Sequence, residues 1–259
     1  MPASGGIKIE VCVDSVESAL AAQEGGAHRI ELCNNLIEGG TTPSAGAIQT
    51  AREHLNIGLN VLIRPRGGDF LYSETEHTII KQDILTAKRL KADGVVIGFL
   101  SQDGSVDTSR TLETVRWARP MSVTFHRAFD MCRDPFEALE DIIACGADRI
   151  LTSGQKNHAE DGIELLTELQ KCARGRIIIM PGSGINEANI EKIHRKVRAS
   201  EYHVSLRRTI PSEMTYRKEG IFMGGHSDIP EYERKVTDAD RVREIIKIVE
   251  QMAASTHHR

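Results

Sequence analysis

This chain has few aromatic residues and no excess of basic residues. Aromatic residues make up 4% of its 259 residues, and its formal net charge is -4. A general nucleic-acid binder needs cationic surface and aromatic stacking platforms, so the composition argues against that class. No apolar run approaches the roughly 18 residues that a membrane span needs, and residues 1–6 show no secretory leader pattern. We therefore expect neither nucleic acid nor a membrane among its partners.

Paired cysteine motifs are missing as well. The five cysteines are odd in number, widely spaced and include no CxxC pair. This pattern is typical of reduced thiols rather than of a disulfide framework, and it predicts a cytoplasmic compartment. Cys132, Cys145 and Cys172 fall on predicted helices or in a loop, and we interpret these three as structural residues.

Short β-branched runs alternate with longer amphipathic stretches along the whole chain. Because each of eight runs is followed by a helical pattern, the fold class predicted is α/β, a single (β/α)8 TIM barrel over residues 1–259. No linker divides the chain, and the irregular stretch 207–235 is predicted to be an elaborated loop before the last helix. The predicted strands cover residues 7–13, 29–32, 60–64, 94–98, 122–126, 149–151, 177–180 and 202–204.

Polar residues follow the apolar ones at the C-terminal ends of these strands, where parallel barrels carry their sites. The run 9–12 reads Ile-Glu-Val-Cys and the run 30–33 reads Ile-Glu-Leu-Cys, 21 residues later. Since residues i and i+2 share a face of a strand, each glutamate and its cysteine point into the barrel. Neighbouring strands lie about 4.8 Å apart, so the two thiols are predicted to come within reach of one metal ion.

Several segments together resemble one family. They are residues 10–15, 29–33, 38–44, 63–70, 124–130, 149–154 and 181–185, within a stretch from 7 to about 206. In this combination the chain resembles the CutC copper-homeostasis family. The resemblance implies a TIM barrel, Cu(I) binding, a homodimer or homotetramer, and a cytoplasmic location that can extend to the nucleus. Ser183 stands where the family usually has glycine, and residues 204–207 also depart from the family pattern.

Copper is the cofactor that this resemblance implies. Cu(I) is a soft ion that prefers thiolate ligands, so Cys12 and Cys33 are the predicted metal ligands. The alternative interpretation is that both thiols are small buried side chains without a ligand role. His126 and His203 could each add a nitrogen ligand, although a lone histidine is more typical of a hydrogen-bonded interior residue.

A second set of inward residues suggests a different chemistry. Carboxylates close to arginines and a histidine are typical of a site that binds a small anionic substrate and transfers protons. In this hypothesis His126 is the acid or base and Glu31 is its carboxylate partner. The alternative is a structural ion network that fills the barrel. The candidate catalytic residues are Glu10, Glu31, Arg64, His126, Arg127 and Asp130.

The loops after strands seven and eight form a candidate anion site. Gly182, Ser183 and Gly184 make a glycine-rich turn, and Arg207 follows the eighth strand. Barrels often bind phosphate at this place through backbone N–H groups. The alternative is an ordinary β/α turn in which Asn186 caps the next helix.

Three functional hypotheses follow from these residues. The first is a copper homeostasis protein that binds Cu(I) through Cys12 and Cys33. The second is a TIM-barrel enzyme that acts on a small phosphate- or carboxylate-bearing molecule. The third is an oligomeric scaffold, which no local motif supports. The resemblance favours the first.

Overall fold

All eight predicted β/α strands are present in the computed structural model, which describes residues 6–223 and 229–256. Residues 1–5, in which no secretory leader pattern was predicted, lie outside the described residues. Residues 257–259, at the other end of the predicted 1–259 domain, also lie outside them. The strands are β1 (Lys8–Val13), β2 (Arg29–Leu32), β3 (Gly58–Leu62), β4 (Gly94–Ile97), β5 (Ser122–Phe125), β6 (Arg149–Thr152), β7 (Ile178–Pro181) and β8 (Glu201–Val204).

A helix follows each strand, and local sequence signals set the helix ends. Ser73 and Glu76 form a capping box at the start of the third helix. Asp134 caps the fifth helix, Pro135 occupies its first turn, and Gly146 ends it with a φ of 81°. The helices are α1 (Val16–Glu24), α2 (Ala45–His54), α3 (Glu74–Arg89), α4 (Thr108–Ala118), α5 (Pro135–Cys145), α6 (Ile163–Ala173), α7 (Ile190–Val197) and α8 (Ala239–Thr256).

The strands pair in parallel in the order β7-β6-β5-β4-β3-β2-β1-β8. The barrel closes where β7 and β8 approach each other within 8 Å between Cα atoms. The predicted (β/α)8 TIM barrel is therefore confirmed. Val11, Ile30, Ile63 and Phe125 belong to the apolar core between strands and helices. The alternating polar residues face the barrel interior, as the two-residue period predicts.

The third strand differs from its predicted bounds, 60–64, by two residues at each end. Its pairing with β2 begins at Gly58. Arg64 instead belongs to the following loop, because its backbone N–H donates to the Thr42 hydroxyl and its carbonyl accepts from the Thr42 N–H. This side pairing turns the chain away from the sheet, so Arg64 lies at the barrel rim.

The predicted loop 207–235 is more ordered at its ends than expected. Residues β9 (Arg207–Pro211) and β10 (Glu233–Thr237) pair as an antiparallel ladder, and each strand satisfies the backbone groups of the other. Within the described residues, none of the helices is both long and apolar enough to cross a membrane.

Candidate functional site

Two adjoining cavities open at the C-terminal ends of the strands. The larger has a volume of about 690 Å³ and the smaller about 600 Å³. Their shared lining consists of Cys12, Leu36, Gly39, Arg127 and His203. Both candidate sites predicted from the sequence, the thiol pair and the anion loop, therefore open into one continuous cleft.

The two thiols predicted to bind metal lie side by side. The Cys12 and Cys33 sulfur atoms are 3.8 Å apart, although the β1–β2 register sets Cys12 opposite Glu31 rather than opposite Cys33. Leu62 and Val96 pack against Cys33, and Leu36 and Cys12 pack against this same cluster. The barrel stagger thus permits the two thiols to share one ion in a mostly apolar environment.

One of the two thiols ionises far more readily than the other. The hydrogen bond from Cys33, together with His203, outweighs burial and lowers the pKa of Cys12 to about 5. The same interaction, with burial, raises the pKa of Cys33 well above its ordinary value. At neutral pH the pair therefore holds one proton between a Cys12 thiolate and a Cys33 thiol.

His203 is the central residue that the sequence interpretation undervalued. Its Nδ1 lies 2.8 Å from Glu10 Oε1, and its Nε2 lies 3.5 Å from Glu31 Oε2. Burial opposes its charged form, but hydrogen bonds with Cys12 and Glu10 prevail and raise the pKa of His203 well above its ordinary value. Its position at the end of a strand was the available signal, and its two carboxylate partners come from distant parts of the sequence.

Glu31 pairs with a different histidine from the one predicted. The sequence interpretation made it the partner of His126, and the structure shows this to be wrong, because its ion-pair contact is with His203. Burial, followed by the charge of Cys12, raises the pKa of Glu31 well above its ordinary value. One oxygen of Glu31 lies within 4.8 Å of both sulfurs. Glu31 also has an oxygen within 4.8 Å of a carboxylate oxygen of Glu10 and of a ring nitrogen of His203.

His126 and Arg64 line the larger cavity without contacting a carboxylate among the described residues. The Nδ1 atom of His126 accepts the Ala128 N–H at 3.1 Å. Burial, then the charge of Arg64, lowers the pKa of His126 to about 3, so the ring is neutral. The Arg64 guanidinium donates to the carbonyls of Glu38, Gly40 and Gly68.

Asp130 and Arg127 form a pair that is already saturated. Arg127 Nε donates to Asp130 Oδ2 at 2.7 Å. Asp130 also accepts from the Thr152 hydroxyl, from the Ser153 hydroxyl and N–H, and from the Gln155 N–H. A carboxylate that accepts this many hydrogen bonds is fixed in position, so Asp130 anchors the loop after β6.

Glu10 belongs to a buried ion cluster deeper in the barrel. It accepts from Arg29 and from the Asn60 amide at 3.0 Å. Arg29 also contacts Glu201 at 2.6 Å, and Arg149 donates to Glu201 at 2.9 Å. The sequence interpretation named a structural ion network only in general terms and missed Arg29, Arg149 and Glu201 as its members.

The candidate anion residues surround the smaller cavity only in part. Ser183, Gly184 and Arg207 line it, whereas Gly182 packs behind it, where a Cβ atom would lie 2.5 Å from Leu151 Cδ1. Ser183 has a φ of 80°, a left-handed conformation that costs a non-glycine residue about 1–2 kcal/mol. This strain accounts for a glycine preference at the position.

Comparison with known proteins gives a consistent family relationship. A model of the CutC family matches residues 7–208. A CutC family protein of Bacteroides thetaiotaomicron is 53% identical over 243 residues, covering 93% of this chain and 98% of that protein. The copper homeostasis protein cutC homolog of Homo sapiens is 46% identical over 250 residues, covering 96% and 92%.

Solved structures give the same relationship. CutC from Streptococcus agalactiae superposes with a TM-score of 0.74 at 32% identity, covering 77% of this chain and 98% of that chain. N-(5'-phosphoribosyl)anthranilate isomerase from Pyrococcus furiosus superposes with a TM-score of 0.56 at 13% identity, covering 95% of this chain and 99% of that chain. At that identity, the second comparison shows the barrel fold alone.

Proposed function

The chain belongs to the CutC family of copper homeostasis, and from this premise we propose that it binds Cu(I) as cargo through the thiolates of Cys12 and Cys33. The observation that supports the proposal is the 3.8 Å separation of the two sulfurs. Thiolates are the ligands that Cu(I) prefers, and low coordination numbers suit it. Reduced cysteines also fit the cytoplasm as its compartment.

The sulfur separation fits a site with more than two ligands. With a metal–sulfur distance of about 2.3 Å, sulfurs 3.8 Å apart subtend an angle of roughly 110° at the ion. A linear two-coordinate ion would need the sulfurs about 0.8 Å farther apart at the same bond length. Glu31 and His203 are the neighbours that could supply a third ligand without movement of the strands.

Binding should release a proton, because metal ligands must be deprotonated. Cys12 is already a thiolate at neutral pH, since its pKa is lowered to about 5, whereas the raised pKa of Cys33 keeps that sulfur protonated. The thiolate therefore makes the first contact with Cu(I), and the ion then displaces the Cys33 proton. This order of events makes the Cys12 sulfur the reactive thiolate and the Cys33 sulfur the one that loses its proton to the ion.

A second candidate function is an enzyme that acts on a small anion, and Glu31 is the residue that favours it. Among the predicted catalytic carboxylates, Glu10 and Asp130 are held by arginine and by several hydrogen bonds. Burial, followed by the charge of Cys12, raises the pKa of Glu31 well above its ordinary value and so favours its protonated form. His126 would act as a neutral donor in such an enzyme.

A competition titration tests the copper proposal. Fully reduced protein is titrated anaerobically with Cu(I) against a chromophoric Cu(I) chelator. The Cys12→Ser/Cys33→Ser variant should lose tight binding, because serine retains the size of cysteine but offers no soft thiolate. Proton release, followed in weak buffer with a pH indicator, should be about one proton per ion from Cys33, with a further proton where Glu31 or His203 supplies the third ligand, and it should disappear in the same variant.

The matched control is Cys132→Ser/Cys145→Ser, which removes two other buried thiols. This control should bind Cu(I) with the affinity of the parent. Undiminished affinity in the Cys12→Ser/Cys33→Ser variant would refute the thiol site and leave the enzyme as the better candidate.

A further inference from the structure

The Arg64 guanidinium is a buried cation without an acidic partner. Arg64 is only 5% exposed to solvent. Three backbone carbonyls, of Glu38, Gly40 and Gly68, accept its hydrogen bonds at 2.7–2.9 Å. Over residues 6–223 and 229–256, no carboxylate oxygen lies within 4.0 Å of it. Neighbouring Arg66, by contrast, pairs with both Asp69 and Glu76. A buried charge without a counter-charge is costly, so Arg64 needs an explanation.

The free donors of Arg64 match an oxyanion. A guanidinium has five N–H donors, and Arg64 uses two on Nη1 and one on Nη2. The donors that remain are one on Nη2 and the one on Nε, which is buried and makes no hydrogen bond of ordinary geometry among the described residues, with the Tyr72 hydroxyl as the neighbouring polar group. These two nitrogens form the side-on pair that binds a carboxylate or phosphate through parallel hydrogen bonds.

His126 presents a further unpaired donor to the same cavity. Because its Nδ1 accepts the Ala128 N–H, the neutral ring carries its proton on Nε2. That nitrogen is buried and has no hydrogen-bond partner in the described part of the chain. Phe70 lies between the two donors, with its ring centroid 5.0 Å from the His126 ring and 5.1 Å from Arg64 Cζ.

The chain's own carboxylates in this cavity are committed elsewhere. Asp69 pairs with Arg66, Glu38 accepts from the Asn35 amide, and Asp130 is held by Arg127 and the loop after β6. Glu31 lies beside the two thiols, and its ion-pair contact is with His203. The remaining walls are largely apolar, formed by Leu36, Leu62, Phe70, Leu71, Leu100 and Leu151.

We propose that Arg64 and His126 bind the carboxylate of a small organic acid whose apolar body fills the cavity of about 690 Å³. The volume suits a small molecule, the two remaining donors of Arg64 match the two oxygens of a carboxylate, and the leucine side chains and Phe70 suit an apolar body. This second binding site lies beside the thiol pair, since Cys12 and Cys33 line the same cavity. It does not depend on copper binding.

A purely structural role for Arg64 makes a different prediction. If Arg64 only ties the loops of residues 38–40 and 68 together, its loss destabilises the protein but no ligand binds. His126 separates the two accounts because it takes no part in the hydrogen bonds by which Arg64 ties these loops together. His126→Leu removes the donor while leaving the three carbonyl contacts of Arg64 intact.

The experiment is an NMR titration of the full chain with sodium benzoate, and with benzamide as the neutral ligand of the same shape. Benzoate should bind saturably and shift the resonances of Phe70 and its neighbours, whereas benzamide should bind at least about tenfold more weakly, because the charge-assisted pair is absent. Arg64→Gln and His126→Leu should each weaken benzoate binding by about tenfold or more. Arg66→Gln, the matched control at an arginine that already has carboxylate partners, should bind benzoate like the parent.

Three results would overturn the proposal. These are equal binding of benzoate and benzamide, an equal loss in Arg66→Gln and Arg64→Gln, and binding of inorganic phosphate without binding of benzoate. Arg64→Gln should keep the Cu(I) affinity of the parent, because the hydrogen bonds of Arg64 go to backbone carbonyls and not to either sulfur. The two sites can therefore fail or succeed separately.

Discussion

Replacing Glu201 with glutamine should destabilise this barrel more than any comparable change at a surface ion pair. The Glu201 carboxylate is buried and accepts from Arg29 Nη2 at 2.6 Å, from Arg149 Nε at 2.9 Å and from Arg149 Nη2 at 3.3 Å. Burial opposes its ionisation, but the two arginines prevail and lower the pKa of Glu201. Glutamine has the same shape, so Glu201→Gln removes the charge and leaves the packing.

The expected cost follows from what the variant leaves behind. Arg29 retains Glu10 as a counter-charge, whereas Arg149 is left with the neutral amide oxygen of the glutamine and a long contact of 3.4 Å with the Ser122 hydroxyl. Removing one partner of a buried ion pair costs about 3–5 kcal/mol, because the other charge remains desolvated and uncompensated. For a chain of this size, that corresponds to a fall in Tm of roughly 6–20 °C.

Glu140→Gln is the matched control. Glu140 also forms a two-pronged pair with arginine, Arg176, at 2.6 and 2.7 Å, but these side chains are 57% and 42% exposed. Exposed pairs contribute about 0–1 kcal/mol, so this variant should melt within a few degrees of the parent. Differential scanning calorimetry and urea unfolding at pH 7 measure both variants. Equal losses in Glu201→Gln and Glu140→Gln, or a loss below about 1 kcal/mol in the former, would refute the assignment of the buried cluster as a determinant of stability.

Two further predictions concern pH and assembly. Burial and Arg64 lower the pKa of His126 from 6.5 to about 3, so the unfolded chain takes up a proton that the folded chain refuses. The contribution of the neutral His126 ring to stability is therefore complete above pH 6.5 and is lost as the pH falls toward 3. His126→Gln should reduce this acid loss of unfolding free energy by up to about 1.4 kcal/mol per pH unit in urea titrations. Identical pH profiles of the variant and the parent would contradict the buried neutral ring. Multi-angle light scattering should give two or four times the chain mass of 28.6 kDa, because Tyr216, Phe222 and Met223 expose apolar surface typical of an interface, and a monomer throughout the micromolar range would contradict it.

Local periodicity accounts for how much of the barrel could be predicted from the sequence. The glutamate and cysteine of each repeat had to share a face, because side chains alternate along a strand. The stagger between strands was not available from this pattern. The register sets Cys12 opposite Glu31, two positions before its counterpart in the repeat, yet the sulfurs still meet because both point into the same interior.

Residues whose partners arrive only on barrel closure could not be placed from the sequence. Glu10 and His203 are 193 residues apart and meet because β8 pairs with β1. Arg149 and Glu201 stand at the first positions of β6 and β8, where a charged residue is ordinary in any β/α unit. The pairing of Glu31 with His126 was predicted from their positions near the strand ends, and it was wrong because β8 pairs with β1, next to β2, and so brings His203 to Glu31.

The two interpretations of the inward charges, a structural network and a functional site, describe layers of one arrangement. Glu10 takes part in the deep cluster through Arg29, and it also bonds His203 Nδ1. That bond fixes the ring so that Nε2 faces Glu31 and the Cys12 sulfur. A histidine held in this way by a carboxylate is how proteins orient metal-binding groups. The buried cluster therefore orients His203 beside the thiol pair, and under the copper proposal a change at Glu10 should alter Cu(I) binding without touching either sulfur.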